Sequence, residues 1–388
     1  MTLLAARGAI RDLWALDSDV TFLNHGSFGA CPRPVLEAQS ELRYRLEAEP
    51  VRFMTRELGP LLAEARAGLA EFLGATAENL VFVPNATAGV NTILRSLRFS
   101  PGDELLTTNH AYRACLNALQ FVAERSGARV RIVHVDTAPT SGAAVVEAVL
   151  GAVTRRTRLA MLDHVTSPTA LVFPIEALVG ELESRGIMVL VDAAHSPGML
   201  PMALEAIGAS FTTGNLHKWV CAPKGAGFLH VRSDRQPMIR PLAVSHRLAS
   251  GPVGNKSTFQ LDFDWVGTID PTPYLCVPSA LAFMASLHSQ GWVGVMRSNR
   301  EAAQAAADLL DRVVPQPAPP TAACAMVSLG LPGRAEDAAP LQDRLFFEHR
   351  IEVPIISFAA SRILRVSMQR YVSMDDVARL AEALPALL

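Results

Sequence analysis

The chain has 388 residues, 50% of them hydrophobic and 19% charged, with a formal net charge of -2 and a mean hydropathy of +0.23. That composition can fill one large domain plus a smaller one, excludes a disordered chain, and offers nucleic acid no basic surface. No apolar run is long enough to span a bilayer, and five scattered cysteines without a C-x-x-C pair argue against a disulfide framework or a zinc site and for a reducing, cytoplasmic setting.

Residues 1–14 are broken by Arg7, Arg11 and Asp12 and lack the long apolar core of a signal peptide. Residues 21–29, TFLNHGSFG, run from a short apolar stretch into Asn24, His25, Gly26 and Gly29. This is loop chemistry, in which glycines let backbone approach a ligand closely, although a plain turn reads the same way. Helical patterns cover 34–49 and 61–73, the second closed by Gly74. Residues 79–97, NLVFVPNATAGVNTILRSL, read as a strand over 80–83, a turn, and a helix over 88–97. A helix opening straight off a strand, with Thr87 and Gly89 at its mouth, points free N–H groups and its positive dipole end at a phosphate.

A strand over 104–107 ends in Asn109, His110, Ala111 and Tyr112, so aromatic rings stand where a flat ligand could stack. Strand 130–135, helix 142–153, strand 158–165, helix 175–184 and strand 188–192 then alternate, which implies a parallel sheet covered by helices. Such sheets bind ligands at the carboxyl ends of their strands. Thr166, Ser167 and Thr169 place hydroxyls on that edge, and Asp192 ends the unbroken apolar run IMVLVD with His195 just beyond. Residues 208–227, GASFTTGNLHKWVCAPKGAG, surround Lys218 with apolar and small neighbours. Burial disfavours an ammonium and drives its pKa down, so a lysine kept there needs a task. Lys218, Asp192 and His195 together suit pyridoxal phosphate: a lysine for the Schiff base, an acid to keep the pyridine nitrogen protonated, and a polar neighbour for the phenolic oxygen.

Residues 226–231 read as a further strand. Residues 261–273, LDFDWVGTIDPTP, read as a loop at a subunit boundary. Helices over 280–289, 298–313, 339–349 and 375–384, with strands over 325–331 and 363–366, make a smaller α+β unit. Arg365 on its last strand is placed to clamp a carboxylate with two prongs.

The order NATAG, NHAY, TSPT, VDAAH, HK, GT, RVS resembles the class V (aminotransferase-fold) pyridoxal-phosphate enzymes. LNHGSFG, NATAGVNT, HVTSPTALVFP and GTIDPTPYLCVP are similar to the isopenicillin N epimerase-like branch. The resemblance covers nearly the whole chain. It implies an α/β fold of type I, with a large, mostly parallel-sheet domain at 31–278, a small α+β domain at 279–388, and a segment 1–30 serving both the active site and the small domain. It implies pyridoxal 5'-phosphate as cofactor and no metal. Lys218 matches the Schiff-base lysine, Asp192 the pyridinium partner, and His195 the neighbour of the phenolic oxygen. His110 matches the ring-stacking position, with Tyr112 as the alternative. Thr87, Ala88, Asn215 and His217 match phosphate or near-phosphate positions. Thr268 matches a residue lent to the partner's phosphate site in a homodimer. Arg365 matches the substrate-carboxylate arginine, and Asn24 and His25 lie in the loop that reaches toward substrate.

The implied activity is chemistry at the α-carbon of an amino-acid substrate, epimerisation first, with a carbon–sulfur β-lyase or an aminotransferase as alternatives. Epimerisation needs a second acid/base, for which His25, His110 and Tyr112 are candidates. Residues 350–361, RIEVPIISFAAS, lack the cysteine that desulfurases of this fold carry before the carboxylate arginine, which disfavours persulfide chemistry. One rival reading is a metal-dependent hydrolase built on Asp192, His195, His217 and His25, which would leave Lys218 idle and lacks an H-E-x-x-H pair. A nucleotide-binding module is the other, and the chain has no G-x-G-x-x-G.

Overall fold

The computed structural model describes residues 10–138, 141–246, 257–318 and 320–388. Its central sheet has seven strands: β1 (Leu80–Val83), β2 (Glu104–Thr108), β3 (Arg129–Val133), β4 (Thr157–Asp163), β5 (Met188–Asp192), β6 (Phe211–Asn215) and β7 (Gly227–Val231). Their order is β1-β7-β6-β5-β4-β2-β3. β7 runs antiparallel to both its neighbours, and all other pairs are parallel.

Side chains alternate between the two faces of a strand, so one run of apolar residues serves two cores. Ala160 and Leu162 of β4 join Val189 and Val191 of β5 on one face, against α1 (Leu58–Leu73) and α4 (Ile175–Ser184). Leu159, Met161 and Leu190 point to the other face, against α2 (Ala86–Ser96) and α3 (Arg113–Ser126). A Cβ on Gly89 would lie 2.0 Å from the Thr213 hydroxyl oxygen, so a glycine is what lets α2 settle directly on β6. β4 and β5 pair in register, with Asp163 opposite Asp192, so two carboxylates end adjacent strands on one edge.

A second, antiparallel sheet contains β8 (Met326–Leu331), β9 (Ile355–Phe358) and β10 (Ser361–Ser367) in the order β9-β10-β8. It has its own core, shared with α5 (Gly291–Asp311), α6 (Ala338–His349) and α7 (Met374–Ala383). Trp14 and Leu23 sit in that core, and Thr21–Phe22 pairs in parallel with Ile351–Glu352. Residues 14–23 are thus built into the C-terminal unit before the chain crosses to the large sheet.

Residues 261–273 depart from their loop expectation. Thr258–Asp264 is a helix whose N-cap is Ser257, and Phe259 and Phe263, one turn apart, pack ring to ring at 5.0 Å. A second short helix, Thr272–Leu275, follows.

Candidate active site

The carboxyl ends of β4, β5 and β6 and the start of α2 enclose a cleft of about 200 Å³. Lys218 lines it three residues beyond β6, with Asp192, His195, Asp163, Asn215, His217, Thr87, Ser167, Ser27 and Tyr112. The backbone around the lysine is tightly packed. A Cβ on Gly29, whose φ is +68°, would fall 2.0 Å from the His217 carbonyl oxygen and 2.9 Å from the Lys218 Cα. Only a glycine lets the 21–29 segment close over the lysine turn.

Lys218 Nζ lies 3.2 Å from His195 Nε2. On the far side of the ring, the Trp219 indole N–H donates to His195 Nδ1 at 3.5 Å. A neutral imidazole carries one proton, and the indole leaves it on Nε2. Nε2–H therefore donates to the amine lone pair, an arrangement that favours uncharged Lys218. Burial pushes the Lys218 pKa down from 10.5 to about 7, the Arg365 charge acts the same way, and Asp192 opposes both. Burial also holds His195 well below the usual imidazole range, with Lys218 adding to the effect.

Asp192 accepts from the Ala194 N–H at 2.9 Å and from the Cys115 thiol at 3.2 Å. Burial raises its pKa, while these donors and Lys218 work against the rise. Asp163 is raised well above the usual carboxylate range by burial and then by Asp192. Two carboxylates on neighbouring strand ends cannot both stay charged in a dry pocket. Asp192, with the better donors and the nearby amine, keeps the charge, and Asp163 holds the proton.

At the other end, Asn85 caps α2 by accepting from the Ala88 N–H at 2.9 Å, and Asn215 Oδ1 accepts from the Ala86 N–H at 2.8 Å. His217 Nδ1 donates to the Ala226 carbonyl at 3.1 Å, and burial lowers its pKa to about 4. This leaves the Thr87 N–H and hydroxyl and the Asn215 amide N–H groups for an anion, while His217 Nε2, unprotonated once Nδ1 donates, can only accept. Ala88 departs from its expected phosphate role, because its N–H is spent on the cap and it faces a neighbouring apolar hollow instead.

Arg365 is buried behind the cleft wall. Its Nη1 donates to the Ser167 carbonyl at 2.5 Å and to the Ser167 hydroxyl at 3.2 Å, and Nη2 donates to the Ser27 hydroxyl at 3.1 Å. Its Nε is buried without a partner. Burial lowers the guanidinium to about 10, with Cys324 and Tyr112 opposing.

Besides Ala88 and Arg365, four more expected residues lie outside the cleft. His110 is fully buried, with Nδ1 2.7 Å from the Thr169 hydroxyl and Nε2 2.8 Å from the Val135 carbonyl, so its ring is fastened away from the ligand edge. Tyr112, 48% exposed, stands there instead. His25 is also fully buried. Its Nε2 donates to the Lys218 carbonyl at 3.0 Å, and its Nδ1 accepts from the Tyr371 hydroxyl at 2.7 Å. It braces the lysine turn from behind rather than reaching toward substrate. Asn24 turns away as well, donating to Glu352 at 2.8 Å and accepting from the Ser27 hydroxyl. Thr268 is exposed beside the apolar hollow and does not line its own chain's cleft. Asp163 and Tyr371 were not anticipated. Asp163 ends an apolar strand just as Asp192 does, a signal open to reading, whereas Tyr371 gives none.

The residues present fit pyridoxal phosphate. The decisive feature is Lys218, an enclosed amine with no carboxylate in hydrogen-bond contact and a pKa near 7, which suits an amine meant to meet an aldehyde. Asp192 suits a ring nitrogen, and the α2 end suits a phosphate.

The sequence profile described as aminotransferase class-V matches residues 23–313. An isopenicillin N epimerase of Amycolatopsis lactamdurans is 36% identical, the match covering 97% of each chain, and one of Streptomyces clavuligerus is 34% identical over 96% of each. A probable chloroplastic L-cysteine desulfhydrase of Arabidopsis thaliana is 31% identical, covering 96% of this chain and 83% of that one. Among solved structures, the cystine C–S lyase C-DES in complex with its product cysteine persulfide superposes with a TM-score of 0.81 at 21% identity, covering 94% and 97%. An apo cysteine desulfurase of Thermococcus onnurineus NA1 does so at 0.78 and 20%, covering 98% and 97%. At those identities the likeness is one of fold.

Proposed function

The chain belongs to the aminotransferase class-V family of pyridoxal-phosphate enzymes, and from that premise we propose that it inverts configuration at the α-carbon of an amino-acid substrate, as an isopenicillin N epimerase does. The observation that carries the reading is the neutral-leaning Lys218, set between buried Asp192 and the Arg365 fork.

Pyridoxal phosphate, when bound, supplies a carbonyl for the substrate amine and a ring that takes up the electron pair left on the α-carbon. Thr87 and Asn215 hold the phosphate end, and His217 lines it. Asp192 keeps a proton on the ring nitrogen, and protonated Asp163 beside it adds no second charge. Arg365 takes the substrate carboxylate by exchanging its contacts with Ser27 and Ser167, a two-pronged match that fixes the α-carbon over Lys218. Lys218 Nζ then removes the α-proton. A pKa near 7 lets it act as base at neutral pH and as acid on the return. His195 orients the amine, and Trp219 holds His195 in the tautomer that does so.

A lyase that expels a β-substituent is the second reading, favoured by the likeness to the L-cysteine desulfhydrase. Residues 350–361 contain no cysteine to carry a persulfide, so a sulfur group would leave directly. The two readings part on one experiment. The holoenzyme is incubated in D₂O with isopenicillin N and with the L and D forms of the common amino acids. Configuration is read by chiral chromatography, and keto acid and ammonia are assayed. Inverted, α-deuterated product without keto acid supports the epimerase. Keto acid and ammonia without inversion overturn it.

The active unit is a homodimer in this reading. Thr268 of each chain serves the other's phosphate site, and the apolar hollow of about 170 Å³ lined by Met54, Leu242 and Ile269 is covered by the second copy. The chain divides into 31–278 and 279–388, with 1–30 joining them. Five free, buried cysteines support a cytoplasmic setting. Among the described residues no helix is long and apolar enough to cross a membrane.

A further inference from the structure

Inversion at a carbon needs a proton taken on one face and delivered on the other. Lys218 serves one face, and the second group must line the same cleft without belonging to the lysine's side. The titratable residues lining the cleft are Lys218, Asp192, Asp163, His195, His217 and Tyr112. His195 touches Lys218 and so shares its flank. Asp192 and Asp163 form the floor, on paired strand ends. His217 sits at the anion end, tied to Ala226. His25 and His110 are buried with both ring nitrogens engaged and stand outside the cleft.

We propose that Tyr112 is the second acid/base, delivering a proton to the α-carbon from the flank opposite Lys218. This rests on the epimerase reading. The sheet order β6-β5-β4-β2 places Lys218 just past β6 and Tyr112 just past β2, with the two acid-bearing strands between them. Three strand spacings, about 14 Å, separate the two flanks. Each side chain therefore enters the cleft from its own side. Tyr112 is half exposed, so its hydroxyl can exchange its proton with water. The Tyr112 backbone N–H acts on Asp163, countering the rise in its pKa, and both residues line the cleft.

The step balances without a redox partner. Lys218 Nζ gains the α-proton and the C–H bond breaks. The Tyr112 O–H bond breaks, a new C–H bond forms on the opposite face, and water restores both groups.

The test compares wild-type and Y112F holoenzymes in D₂O with isopenicillin N and the L and D amino acids. Deuterium at the α-carbon is read by proton NMR and configuration by chiral chromatography. Cofactor content and the visible band are read without substrate, to show that the variant is loaded. We expect Y112F to load normally and inversion to fall by roughly 100-fold or more. Exchange with retained configuration should fall far less for the enantiomer whose proton faces Lys218. With an inverting wild type, undiminished inversion in Y112F, or a parallel loss of exchange and inversion, overturns the assignment alone. A wild type that inverts none of these substrates overturns the epimerase reading, and the role of Tyr112 with it.

Discussion

Lys218 is a costly group in the cofactor-free protein, and replacing it should stabilise the fold. Its amine falls from 10.5 to about 7, a difference of roughly 5 kcal/mol against the unfolded chain at pH values below both. The cleft admits water, and replacements of enclosed ions by apolar groups of like size gain about 1–4 kcal/mol, so the lower figure is the realistic one. The direction with pH follows from proton counting. Between pH 7 and 10.5 the unfolded chain still holds the lysine proton and the folded chain does not. Wild-type stability therefore rises with pH across that window. K218M lacks the term. Stripped of cofactor, K218M should melt several degrees above stripped wild type at pH 6, and the gap should shrink toward zero by pH 10.5. Parallel thermal scans of the two apoproteins measure this, since all other titrating groups are shared and cancel. A gap independent of pH, or a K218M variant less stable at pH 6, would refute the view that Lys218 is held uncharged.

Three further outcomes follow from the same geometry. R365Q should lower kcat/KM for substrates with an α-carboxylate by roughly 10²–10³-fold, about 3–4 kcal/mol for an engaged buried charge. R365K should not restore it, because a lysine cannot present two prongs. Y371F removes the hydroxyl that donates to His25, the brace of the Lys218 turn. It should cost about 1–3 kcal/mol of stability in denaturant titrations and lower kcat more than it raises KM. W219F frees His195 to place its proton on either nitrogen. The Lys218 pKa should rise, and the acid limb of the kcat profile should move above pH 7.

Much of the site was legible because buried parallel strands announce themselves. IMVLVD is apolar to its last residue, so its aspartate had to lie at the ligand edge, and Lys218 stood out as a cation in apolar surroundings. What the sequence hid depends on partners far along the chain. His25 and Asn24 turn inward because Tyr371 and Glu352, more than 300 residues away, take up their polar atoms. His110 and Tyr112 are two residues apart, and nothing local says which one faces the cleft. Val135 and Thr169 decide it by capturing the histidine. The helix over Thr258–Asp264 read as a loop because its acids and aromatics alternate, yet its helical spacing pairs Phe259 with Phe263. The helix Arg113–Ser126 and the strand Ile355–Phe358 went unread for similar reasons, the first polar on its outer face and the second short.

The central claim is that Lys218 is the residue that bonds the cofactor. The most direct measurement loads the protein with pyridoxal 5'-phosphate, reduces it with borohydride, digests it and maps the modified peptide by mass spectrometry. The account predicts one reduced cofactor per chain, on Lys218, with the visible band lost on reduction. A cofactor fixed on Lys224, Lys256 or the chain's amino terminus, or none fixed at all, would contradict it.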